Sequence, residues 1–224
     1  MTPAAVSPRL VKAGLVLVDP QTLAPVRTGP VPGGVIAFQY NPETLTRTLQ
    51  AVTAGGDGQD RSEALRLKAP PVETIKLDAE LDATDELDKG TGVAAAAGVL
   101  PLLAALESLV YPTARQVAAT RALAATGALE VLPMEAPLTL FVWGRTRVVP
   151  VRVTEFTATE EAFDAALNPV RAKVSLGLRV LTMYDLGFDH RGADLFTRYH
   201  QQKEALAGSA PRADLGSLGI GGLG

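Results

Sequence analysis

Three acidic side chains on one short alternating segment are the first candidates for chemistry. Asp78, Glu80 and Asp82 sit two apart in VETIKLDAELDATD, with Lys76 on the same parity and Ile75, Leu77, Ala79 and Leu81 on the other. In a strand, period two puts the carboxylates on one face. Paired carboxylates can share general acid and base work, but an acidic solvated strand face meets the same pattern. His190 lies beside Asp185 and Asp189 in DLGFDHRGAD, which raises a metal loop. The spacing fails as a calcium loop, because glycines and Phe188 occupy ligand positions. A loop that caps the following helix fits it better. His200 is expected on a helix surface or at an interface, and Glu160 and Glu161 in a solvated hairpin tip. No GxSxG, HExxH or phosphate-binding glycine loop occurs. Gly55-Gly56 and Gly90-Thr91-Gly92 stand outside any strand-to-helix context. No catalytic residue, cofactor or metal ligand is expected, and the chain does not read as an enzyme.

The dominant structural signal lies in residues 145–185. Ala172, Val174, Leu176, Leu178 and Val180 alternate with Arg171, Lys173, Ser175, Gly177 and Arg179; Val149, Val151 and Val153 alternate with Arg152 and Thr154. Two half-buried strands follow, joined by a turn-rich connector over residues 157–169 that ends in Asn168-Pro169. Each arm spans about 12 residues, or about 40 Å. A hairpin that long is marginal alone, so its edges need partners from the domain or from identical neighbours.

The rest of the 224-residue chain is consistent with one large α+β domain, 47% hydrophobic, with a net charge of -3 and no cysteine. That charge does not call for nucleic acid. No apolar stretch reaches membrane-spanning length free of charge, Pro or Gly, so no membrane partner is expected. Residues 10–18 read as a first strand. Residues 35–40 and 45–52, separated by Asn41-Pro42, read as a second hairpin. Residues 53–71 read as a mobile surface loop, and 72–82 as a strand. An alanine-rich helical insertion covers about 86–127. Pro101 is placed to kink or split its first helix, and Thr113 to cap its second. Strand returns over 129–143. A helix follows over 195–206 with Asp194 at its cap. Residues 208–224 form a glycine-rich flexible tail, leaving 1–207 as the folded domain.

Three segments in order carry a family resemblance: FQYNPETLTRT (38–48), FTATEEAFDAALNPVRAKVSLGLRVL (156–181) and YHQQKEALA (199–207). Together they resemble the N-terminal tube-like domain of contractile injection system tube and baseplate proteins, whose relatives initiate phage tail tubes. The F-x-x-NP-x-x-L and NPVRAKV segments are moderately specific, and their order adds to this. The resemblance implies a tail-tube-like antiparallel β-barrel or sandwich with long hairpins and a helix packed outside. It also implies a hexameric ring joining the inner tube to the spike and baseplate, with tube, spike and baseplate proteins as partners. Phe38, Asn41 and Pro42 would shape the first hairpin, and Asn168, Pro169 and Arg171 the turn into the second long strand. Val174, Leu176 and Leu178 would supply its packed side. Assembly would be cytoplasmic, in a particle released or membrane-attached. The polymerising tube subunit is the alternative role, and a small-molecule hydrolase a remoter one. The LysM module these proteins often carry does not follow the last helix, so direct cell-wall binding is not implied.

Overall fold

The computed structural model describes residues 10–53, 66–88, 94–125 and 136–222. The fold is α+β. Its strands are β1 (Gly14–Val18), β2 (Val35–Ala37), β3 (Leu45–Thr53), β4 (Leu67–Asp82), β5 (Leu138–Val142), β6 (Val148–Phe163) and β7 (Pro169–Val180). All pair antiparallel in one sheet of order β2-β1-β5-β6-β7-β4-β3. The helices are α1 (Thr84–Asp88), α2 (Ala94–Ala97), α3 (Leu100–Glu107), α4 (Ala114–Ala125), α5 (Met183–Leu186) and α6 (Arg191–Gly208).

The long hairpin is present, and its alternation is realised. Ala172, Val174, Leu176, Leu178 and Val180 are each at most 2% exposed. Burying a Val or Leu side chain contributes roughly 1.5–3 kcal/mol, so this row is a large share of the core. The connector is shorter than its composition suggests. β6 runs to Phe163 and pairs with β7 as far as Phe163↔Pro169, so the tip is only residues 164–168. Pairing with β7 overrides the weak strand propensity of Ala and Glu. Glu160 and Glu161 therefore lie in a strand and not in a tip loop.

The expected second hairpin does not form. β2 pairs with β1, and β3 pairs with β4. Gly14 explains the first choice: a Cβ there would lie 2.3 Å from the Ile36 carbonyl oxygen, so only glycine lets β1 and β2 approach. Asn41 fixes the departure from β2 by accepting from the Ala13 N–H at 2.8 Å and donating to the Val11 carbonyl at 2.9 Å. The surface loop expected over 53–71 is also partly strand, since β4 begins at Leu67. Pro70 and Pro71 fall where the register shifts between Gln50↔Val72 and Val52↔Ala69, a bulge that tolerates their missing donors. Residues 54–65 lie outside the described residues.

The expected barrel or sandwich is instead a single open sheet, curled until its ends nearly meet. β3 begins at Leu45 opposite Leu77, so among the described residues β4 from Asp78 onward has no strand on that side. Gln39, just past β2, fills part of the gap. Its amide donates to the Asp82 carbonyl at 2.5 Å and accepts from the Asp82 N–H at 2.9 Å. One side chain thus makes the two bonds a neighbouring strand would make.

The helical insertion splits at Gly98, with φ +55°, between α2 and α3. Pro101 lies in the first turn of α3, where its missing N–H costs nothing. Thr113 caps α4 as expected: its hydroxyl accepts from the Gln116 N–H while the Gln116 amide accepts from Thr113. The last helix starts earlier than expected. His190 is its N-cap, with Nδ1 accepting from the Gly192 N–H at 2.9 Å, and Asp194 sits in the first turn. Residues 209–222 are exposed, and residues 126–135 lie outside the described residues.

Candidate assembly interface

β6, β7, β4 and β3 form a four-stranded part of the sheet with two unlike faces. The packed face carries Ile75, Leu77, Ala79 and Leu81 from β4 beside the buried row of β7. The open face is polar and cross-linked by charge. Glu80 faces Lys173, and Asp82 faces Arg171 with a 2.9 Å ion pair. Asp78 is bonded to Ser175. Lys76 reaches Glu155 at 2.8 Å across β7, passing over Gly177. A Cβ at Gly177 would lie 2.8 Å from the Glu155 Cβ, so a glycine there leaves the crossing open. The bulge between Val153 and Glu155 brings Glu155 into that position.

The outer edges of this sheet are open. β5 pairs with β6 only as far as Val151, so among the described residues β6 from Val153 to its end has β7 on one side and no strand on the other. Among the described residues β3 likewise has β4 on one side only. Hydrogen-bond parity follows from fixed points. The Ala83 N–H donates to the Val170 carbonyl, and the Leu181 N–H to the Pro150 carbonyl. Alternation from these points makes Arg171, Lys173 and Ser175 bond toward β6, and Lys76 and Thr74 toward β3. The backbone groups of Phe156, Ala158 and Glu160 on β6, and of Leu45, Arg47 and Leu49 on β3, therefore point outward. β7 is paired on both sides, so the free edge of the long hairpin belongs to β6 alone.

The residues singled out from sequence fall into two groups that meet. Phe38 is 2% exposed in the core and does not shape a hairpin; Asn41 and Pro42 form the bend out of β2. Asn168 closes the hairpin tip, donating from its side chain and its backbone N–H to Asp164 at 2.9 and 2.8 Å. Pro169 is buried. Its carbonyl accepts from the Val99 N–H at 2.9 Å, docking the helical insertion on the tip, and a Cβ on Gly98 would come within 2.1 Å of that oxygen. Arg171 holds Asp82, whose backbone holds Gln39. The two motif segments thus touch through Asp82.

No family model matches the chain, and no curated protein matches it.

Sequence reasoning missed the most buried charged group among the described residues. Glu73 on β4 is 2% exposed. It accepts from Arg47 of β3 at 2.7 Å, and from Lys203 and Tyr199 of α6 at 2.7 and 2.8 Å. The Lys203 ammonium also lies 4.0 Å from the centre of the Tyr199 ring. Burial pushes the Glu73 carboxyl up, but the three hydrogen bonds and the Lys203 charge together outweigh it and hold the group below the usual carboxylate range. Burial, then Glu73, push the Tyr199 phenol well above its ordinary value. The cluster fastens α6 and β3 to β4 on the packed face. The sequence did contain a signal: Glu73 shares the parity of Ile75 and Leu77, a charged side chain on an apolar row.

The open face carries no group of three or more Asp, Glu, His or Cys side chains that could hold a metal among the described residues. Asp78 and Glu80 are exposed on it. Asp78→Asn and Glu80→Gln should each shift stability by less than about 0.5 kcal/mol. Urea denaturation followed by circular dichroism checks this, and a loss of several times that size would show that the open-face pairs hold the fold.

Proposed function

We propose that the chain is a structural, ring-forming component that joins the inner tube to the spike and baseplate of a contractile injection system. One observation carries the reading: four adjacent strands with a polar open face, a packed opposite face and, among the described residues, an edge on each side that no strand pairs, β6 from Val153 onward and β3. A soluble monomer normally covers or blunts such edges. Strand alternation fits head-to-tail closure. β6 and β3 run in opposite directions, so β6 of a second copy placed beside β3 continues the antiparallel order without a break. Such an interface is heterologous and closes as a ring when the rotation per copy allows. The ordered motif resemblance supplies the particle type, and the polar face would line the lumen.

Proline on the free edge tests this with little cost to the monomer. The Ala158 N–H points outward, so Ala158→Pro removes a donor that no strand among the described residues uses. The variant should keep the circular dichroism spectrum and urea midpoint of the parent. Its assembly into rings, followed by mass photometry and negative-stain imaging, should fall at least about tenfold, the effect of about 1.4 kcal/mol per interface. Rings that form as readily as those of the parent would remove the free edge of β6 from the interface.

A further inference from the structure

We infer that neighbouring copies pair in one particular register, with Glu160 of one chain opposite Leu45 of the next. Phe156 then meets Leu49, Thr157 meets Thr48, and Thr159 meets Thr46. The inference rests on the head-to-tail reading above and adds to it the stagger of the ring.

The stagger can be counted across the sheet. Walking sideways from β6, Phe156 pairs with Leu176, Leu176 with Leu77, and Leu77 with Leu45. All four lie on the packed parity. The β6 residue of the next copy that faces Leu45 must share that parity, because a one-residue slip would turn every side chain to the wrong face. It must also present outward backbone groups, and the same residues do. The choices are Phe156, Ala158, Glu160 and Ala162.

Geometry separates these four. Phe156 opposite Leu45 would bring the walk back to its starting level, giving strands parallel to the ring axis and no room for twist. With a rise of about 3.3 Å per residue and strands about 4.8 Å apart, a two-residue stagger over four strands gives a tilt of about 19°. Four residues give about 35° and six about 46°, against the 35–45° typical of closed barrels. The six-residue choice needs Ala162 in a regular ladder, and its φ of +52° forbids that. Glu160 remains.

The hand of the tilt agrees. For L residues, the outward groups of the packed-face positions place β7 to the left of an upward β6, viewed from the packed face. Right-handed coiling with that face outermost then advances the stagger toward higher β6 numbers, from Phe156 to Glu160.

Side-chain chemistry fits the same register. Leu49 is 51% exposed in the single chain, and Phe156 would cover it. Thr46, Thr48, Thr157 and Thr159 are exposed and would form two cross-strand threonine pairs, a favourable combination. Both fall at positions without direct backbone bonds, where Cα atoms approach to about 4.5 Å.

The chain has no cysteine, so engineered disulfides read the register without background. Within one chain β3 and β6 are three strand spacings apart, about 14 Å, beyond the reach of a disulfide. Three double variants of the full chain separate the cases: Thr48→Cys with Thr157→Cys for the proposed register, Thr46→Cys with Thr157→Cys for the shorter stagger, and Thr48→Cys with Thr159→Cys for the longer. Under mild oxidation, the first should convert most of the protein to a covalent ladder ending at the closed ring on a non-reducing gel, at least tenfold more than the other two. A ladder led by the second or third pair overturns the register while the ring reading stands. Monomer in all three, with each variant still folded by circular dichroism, overturns a head-to-tail ring at every stagger from two to six residues, and the register with it.

Discussion

Val174→Asp is expected to abolish the folded state. Val174 is fully buried on β7, between Ala79 of β4 and Ala158 of β6. Neither neighbour offers a donor, so an ionised carboxylate there is unpaired in apolar surroundings. Such a group costs well over about 4 kcal/mol, a large part of the 5–15 kcal/mol that stabilises a typical domain. Val174→Ala separates charge from lost volume, with an expected cost of about 2 kcal/mol and a folded product. Far-UV circular dichroism and urea titration distinguish the two. A Val174→Asp protein that unfolds cooperatively near the parent midpoint would contradict the packed position of this row. Ring assembly should follow folding: lost in the Asp variant and retained in the Ala variant, because Val174 bonds only within its own chain.

Glu73→Gln is expected to cost about 2–3 kcal/mol at pH 7, below the 3–5 kcal/mol of a fully buried broken pair. The reduction reflects the partial exposure of its partners: the Arg47 and Lys203 side chains are 28% and 32% exposed and can recover some hydration, whereas the Glu73 side chain is 3% exposed. The pH dependence has a definite sign. The folded-state pKa of Glu73 is depressed, so its contribution is complete above the unfolded value of about 4.3 and is lost as pH falls through the folded value. The stability gap between parent and variant should therefore be widest near neutrality and narrow below about pH 4. Urea titrations at pH 7, 4 and 3 measure it. A gap that stays constant with pH would mean that Glu73 acts through shape alone. Because the cluster ties β3 and α6 to β4, the variant should also loosen the outer strand of the proposed interface, seen as faster amide exchange in Leu45–Thr53.

The sequence by itself determined the elements with strict alternation. β7 and the second half of β4 were legible because each has one wet and one dry face, and period two records that directly in residue type. The cap at Thr113 and the punctuation at Asn168-Pro169 were legible for a similar reason, since both act within a few residues of themselves. Pairing partners were decided only by the tertiary structure. Leu45–Thr53 is largely exposed, so its residue types do not record which neighbour it takes. Its place beside β4 rests on a register whose partners lie 14 (Thr53↔Leu67) to 32 (Leu45↔Leu77) residues apart in the chain. The extension of β6 through Glu160 and Glu161 depended on β7, not on local propensity. Gln39, Glu73 and Gly98 carry long-range contacts whose meaning lies wholly in what faces them: the backbone of Asp82, the cations of β3 and α6, and the carbonyl of Pro169. Local periodicity reports the environment of a face, whereas an edge, a latch or a buried charge is defined by its partner, and only the folded chain brings that partner near.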